Sequence, residues 1–184
     1  MKVKNLKLLA TSDEDLRVIA AHLQDAIVSV KDIASLKKNR IFLIQLNRFM
    51  WEDVEKGVFR KNKRIRTMLK FDNVIEVNSK NISQTNKDKF LDFLAIESNH
   101  MPDNNYEMKL IFSGDSIIRI VAEVIEVALD DQGEPWDTKN KPKHKVLWRL
   151  YMIQDIKIAI ARLASSVINQ AKYKERSRWS KKIY

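Results

Sequence analysis

Ile27–Trp51 reads IVSVKDIASLKKNRIFLIQLNRFMW, two apolar, β-branched runs around one polar tetrapeptide. The first run, Ile27–Leu36, suits an extended chain because branched side chains pack well on a pleated surface. Lys37-Lys38-Asn39-Arg40 is turn-like. The second run, Ile41–Trp51, is a long apolar strand. The two are expected to form a β-hairpin, and the rest of the fold is read outward from it.

Upstream, Ser12-Asp13-Glu14-Asp15 has the form of a helix start. The serine can cap, and acids in a first turn suit the positive end of the helix dipole. Leu16, Ile19, Ala20 and Leu23 follow at helical spacing, so a helix is expected to about Ala26. Downstream, Glu52–Arg66 is charged, contains Gly57 and is expected to be a loop. A third strand is expected to carry Leu69, Phe71, Ile75 and Val77 on one face, with Lys70, Asp72 and Glu76 on the other. Asn78–Asp88 reads as a loop, and Phe90–Glu97 as a short helix followed by a strand. Met101–Asn105 is a turn, Tyr106–Phe112 alternates as a strand, and Ser113-Gly114-Asp115 is a tight turn. Ile117–Leu129 reads as the longest strand. Its charges change phase between Arg119 and Glu126, which predicts a bulge near Val124. The two halves share a rhythm that a duplication would explain, although no residue-level repeat supports one. The expected fold class is α+β: a mostly antiparallel sheet of about six strands, an N-terminal helix and an appended C-terminal amphipathic helix.

The formal net charge is +10. From Asp137 to Tyr184 there are 13 Lys+Arg and 3 Asp+Glu, which accounts for all of it, while residues 1–136 hold 21 of each sign. The chain therefore divides into a neutral body, residues 1–138, and a basic linker and helical tail, residues 139–184. Val146, Leu150, Ile153, Ile160, Leu163, Val167 and Ala171 form an apolar stripe in the tail. The absence of cysteine excludes disulfides, thiolate metal sites and a cysteine nucleophile, and suits a reducing, cytoplasmic setting. The N-terminus, MKVKNLKLLATSDED, does not read as a signal peptide, and no apolar run approaches a membrane span.

Four stretches together resemble one uncharacterised bacterial family, the domain of unknown function twenty-nine forty-eight. They are LKLLA (Leu6–Ala10), DLRVIAAHLQDAIV (Asp15–Val28), LNRFMWE (Leu46–Glu52) and IRIVAEVIEVALDDQGEPW (Ile118–Trp136). The resemblance runs over roughly residues 5–144. It implies a small cytosolic protein of alphaproteobacterial type, ending near Pro142 and His144, so the helical tail departs from the pattern. It supplies no catalytic residue.

His22 and Asp25 stand at i, i+3 on a helix, which suits an acid–base or metal-binding pair, or a plain anchor of the helix end. With only His100 and His144 besides, three-histidine coordination is not expected. Asn47-Arg48-Phe49-Met50-Trp51-Glu52 ends a strand. Arg48 and Glu52 could recognise a carboxylate or phosphate with Trp51 as a platform, or Phe49 and Trp51 are core and Arg48 pairs with an acid. Arg64 and Arg66, in the basic stretch from Lys56, could touch phosphates, although only Phe59 interleaves there. The adjacent Asp130 and Asp131 read as turn residues. Arg176, Arg178, Trp179, Lys181 and Lys182 are the candidate contacts of the tail. That tail could pack on a protein, lie on an anionic membrane surface or bind RNA.

Only three glycines occur, so the dinucleotide-binding and P-loop signatures are missing, as is G-x-S-x-G. No cofactor is expected. Three functions follow in order: a non-enzymatic binding or assembly module with a protein partner or self-association, an RNA-associated protein using the tail, and a small enzyme around His22, Asp25, Arg48 and Glu52.

Overall fold

The computed structural model describes residues 5–54, 62–83, 85–140 and 142. Met1–Lys141 forms one compact unit and Pro142–Tyr184 another. The expected tail helix, the tail contacts from Arg176 to Lys182, and Lys56–Lys61 of the basic stretch lie outside the described residues.

In chain order the elements are β1 (Lys7–Ala10), α1 (Asp13–Leu23), β2 (Ile27–Leu36), a 3-10 turn (Lys37–Asn39), β3 (Ile41–Phe49) and the single turn α2 (Trp51–Val54). There follow β4 (Lys63–Phe71), β5 (Val74–Lys80), β6 (Phe90–His100), β7 (Tyr106–Phe112), β8 (Ser116–Ala122) and β9 (Val127–Asp137). Helix and antiparallel sheet agree with the expected class, but the described sheet has nine strands rather than about six.

The helix starts where its cap chemistry placed it. Ser12 accepts from the Asp15 backbone N–H at 3.2 Å, and Leu16, Ile19 and Leu23 form the buried face. The hairpin of β2 and β3 is also as read, closed by Arg40 in the left-handed region at φ 57°.

The extra strands arise in three places, and two further element limits differ from the sequence expectation. Leu6–Ala10 supplies β1, which pairs with β9. The single strand expected from Leu69 to Val77 is two, β4 and β5, because Asn73 at φ 57° turns the chain between them. Ile75 consequently points outward, 52% exposed, while Val74 is buried. The expected loop ending at Arg66 is instead the start of β4 from Lys63, and Phe90–His100 is one continuous strand without a helix. The phase change near Val124 is real, but it marks a break between strands rather than a bulge. β8 pairs with β5 and β7, whereas β9 pairs with β4 and β1.

The sheet order is β1-β9-β4-β3-β2-β6-β7-β8-β5. Apart from β1, this order reads the same from both ends once β2, β3, β4 and β9 are exchanged for β6, β7, β8 and β5. Rows of opposed residues cross each half, with different irregularities in the two. Across one half run Ser35, Phe42, Phe71 and Val127; across the other run Ser98, Met108, Ile120 and Val77. The ends of the sheet curl toward each other. The Asp72 N–H donates to the Glu126 carbonyl at 3.0 Å, and the Glu123 N–H to the Asn73 carbonyl at 3.2 Å. The core fills the concave side with alternate residues such as Phe42, Ile44, Leu69, Phe71, Val127 and Leu129, and α1 covers it beside β1 and β6.

Candidate functional site

The sequence-derived candidates gather where β3 ends. Alternation on β3 turns Phe42, Ile44, Leu46 and Arg48 to the core face, so Arg48 enters at the end of an apolar row. Its guanidinium has no exposed surface. Such a cation persists only when paired. Nε donates to Asp131 Oδ1 at 2.8 Å and Nη2 to Oδ2 at 2.6 Å, a bidentate pair. Nη1 and Nη2 also donate to Glu52 Oε2 and Oε1 at 3.1 and 2.7 Å.

Asp131 is held from other directions as well. Thr67 Oγ1 donates to Oδ1 at 2.7 Å and the Leu6 N–H to Oδ2 at 2.9 Å. Burial opposes the charge on Asp131, but hydrogen bonds from Arg48, Thr67 and Leu6 outweigh it and hold the carboxyl below its ordinary 3.8. Glu52 follows the same logic: burial pushes it up, while Arg48, with a smaller contribution from the charge of His22, brings it below 4.5. Arg48 is held above its ordinary range because its two carboxylates overcome the burial that opposes its charge.

Asp131 and Thr67 were missed as partners. Asp131 was read as a turn residue, yet it lies inside β9, 4% exposed. The signal was present: Val127, Leu129 and Asp131 share one parity, as do Ile65, Thr67 and Leu69.

The remaining candidates tie the end of α1 to the sheet. Trp51 Nε1 donates to the Gln24 carbonyl at 3.1 Å. Arg64 Nη1 donates to the carbonyls of Asp25 and Asn47 at 3.0 and 2.9 Å, and the guanidinium lies 5.8 Å from the centroid of the Phe49 ring. Asp25 itself sits at φ 61°, the bend between α1 and β2. Burial lowers the Arg64 pKa, against the charges of Asp25 and Asp92. His22, Asp25, Arg48, Trp51, Glu52 and Arg64 therefore belong to one neighbourhood. Arg66 stands apart, exposed on β4. Chemically, the centre of this neighbourhood is a strut: the guanidinium that would grip an anion already grips two of the protein's own. Among the described residues no group of three or more His, Asp or Glu side chains could hold a metal ion.

A second feature had no counterpart in the sequence reading. A cleft of about 530 Å³ opens between β2 and β5. Ile33 on β2 and Val77 on β5 form its sides, and the buried Phe42 and Ile118 form its floor. Ile82 and Lys87 reach it from the β5–β6 connection. Lys37 stands at its rim, and among the described residues no acidic one lines it. It exists because β6 begins opposite Ser29, so that beyond Lys31 no strand lies on that side of β2, while β5 ends the sheet. Volume and lining fall within the range of small-ligand and peptide sites.

No helix among the described residues is long and apolar enough to cross a membrane. Comparison with the curated proteins and with the solved structures returns no match. The profile of one family, described as protein of unknown function (DUF2948), matches residues 6–144, from Leu6, whose N–H reaches Asp131, to the end of β9 and beyond. The chain belongs to that family.

Proposed function

We propose that this protein is a non-enzymatic binding module of the cytoplasm whose ligand occupies the β2–β5 cleft. The observation that carries the reading is the cleft itself: an apolar floor and sides, cationic side chains at the rim, and the edge strand β5 along one side. The cluster around Arg48 supports the same ranking. Its guanidinium is spent on Asp131 and Glu52, which leaves the enzymatic reading short of an anion-binding group. The RNA reading draws on the tail, outside the described residues, and on the Lys56–Arg66 stretch. Of that stretch Lys56–Lys61 lie outside them too, Arg64 has its Nη1 committed to two carbonyls and Arg66 is exposed.

The test is a titration of the full chain with the amphiphilic anion 8-anilinonaphthalene-1-sulfonate, followed by amide chemical shifts. Saturable shifts at Ile33, Val77 and Ile82 are expected. They should be lost in Ile82→Lys, a connection residue whose replacement leaves the strands intact by circular dichroism. Shifts elsewhere, or none, refute the reading.

A further inference from the structure

We infer that the β2–β5 cleft receives an acidic, amphipathic helix from a partner protein. The inference rests on the binding reading above and names the partner's chemistry.

The molecule supplies the precedent in its other half. Exchanging the halves carries Ile33 onto Ile96 and Ser35 onto Ser98, and carries the open β2–β5 seam onto the seam between β6 and β9. That second seam is closed. Helix α1 packs against β6, burying Leu16, Ile19 and Leu23, and β1 covers the edge of β9. The Ser98 hydroxyl donates to Asp13 in the acidic first turn of α1.

The counterpart of α1 on the open side is the connection that leads into β6. The Phe93 N–H donates to the Ala26 carbonyl just after α1, at 2.8 Å. Its counterpart is the Val30 N–H, which donates to the Lys89 carbonyl at 3.0 Å. Yet the described residues of the 81–89 connection form no helix, and among their side chains Ile82 is the one apolar member of the cleft lining. Nothing in that connection matches the volume of Leu16, Ile19 and Leu23 together. The open seam thus keeps an apolar floor and an exposed Ser35 at the position where Ser98 meets an aspartate.

Charge selects among occupants. Lys37 and Lys87 line the cleft without an acidic neighbour among the described residues of the lining. An acidic helix complements them, whereas residues 137–184 of this chain carry a net +10. Recognition would follow the helix-in-groove mode, with anchors at i, i+3 and i+7 as in α1.

The probe is a side-chain-stapled peptide with the sequence of residues 12–24, since so short a helix is marginal unaided. It is titrated into the full chain and read by amide shifts and fluorescence anisotropy. Saturable shifts at Ile33, Ser35, Val77 and Ile82 are expected. Affinity should fall about tenfold in Lys37→Glu/Lys87→Glu, and similarly for a peptide carrying Asp13→Lys, Glu14→Lys and Asp15→Lys. Absence of saturable binding, binding at β6, or indifference to these charge reversals overturns the proposal. So do nuclear Overhauser contacts from the cleft to residues 142–184, which would make the chain its own occupant. Cleft shifts that grow with protein concentration alone would point to a second copy instead and overturn it too. If the naphthalene sulfonate binds the cleft and the helix does not, the cleft stands as a site and the helical partner falls. If neither binds, both readings fall.

Discussion

Arg48 and Asp131 are 83 positions apart and meet without exposed surface, so each is the other's condition for burial. Removing one partner strands a buried charge, and removing both still leaves Glu52, the Thr67 hydroxyl and the Leu6 N–H without these partners. Arg48→Met should therefore cost about 3–5 kcal/mol in urea unfolding, and Arg48→Met/Asp131→Leu should recover only part of that loss. The acid side follows from linkage. Folding holds Asp131 and Glu52 below their ordinary 3.8 and 4.5, so their contribution is complete above that range and is lost as falling pH protonates the folded carboxyls. Urea midpoints measured from pH 7 to pH 2 should drop through this acid window, and less steeply in Asp131→Asn. At this scale the sequence showed that Arg48 ends a strand and that pairing with an acid was one reading. It could not say which acid, because the partner is fixed by strands that are distant in the chain.

Helix α1 was legible because its signals are local. Ser12, three acids and an apolar stripe lie within one helix length, and the structure uses all of them. Ser12→Ala should cost about 1 kcal/mol of thermal stability by removing the cap to Asp15. Turns were legible for the same reason. Asn104 sits at φ 62° in the expected Met101–Asn105 turn, so Asn104→Gly should be tolerated. Asn104→Val should lower stability by about 1–2 kcal/mol, read by chemical denaturation. Strand limits were less legible. Asp72 and Asn73 interrupt an alternation that is otherwise continuous in the sequence, and Glu123–Glu126 hides a change of neighbours inside what reads as one strand. The helix expected within Phe90–Glu97 gives way to β6 because that strand joins the two halves, pairing with β2 at its start and with β7 along the rest.

Across the whole molecule the order β9-β4-β3-β2 is mirrored by β5-β8-β7-β6, and β1 and α1 occupy only one of the two seams. The shared rhythm of the two halves was visible in the sequence; its meaning as a repeated strand path was not. The asymmetry has a measurable consequence. β4 lies between β3 and β9, whereas β5 has a neighbour on one side only. Amides of β5 should exchange with solvent faster than those of β4, and saturating the cleft with ligand should slow β5 selectively.

By itself the sequence determined the kinds of element: a capped helix, alternating strands with one buried face, and turns at polar, left-handed positions. It also determined that the chain's excess charge lies in its last quarter. These properties depend on residues a few positions apart, whose steric and hydrogen-bonding preferences act locally. Only the tertiary structure decided that β4 lies beside β9, that Arg48 meets Asp131, and that the β2–β5 seam stays open while α1 closes its counterpart. Every strand edge offers the same backbone donors and acceptors. The choice among edges is therefore made by which arrangement buries all the apolar faces at once and leaves no buried charge unpaired.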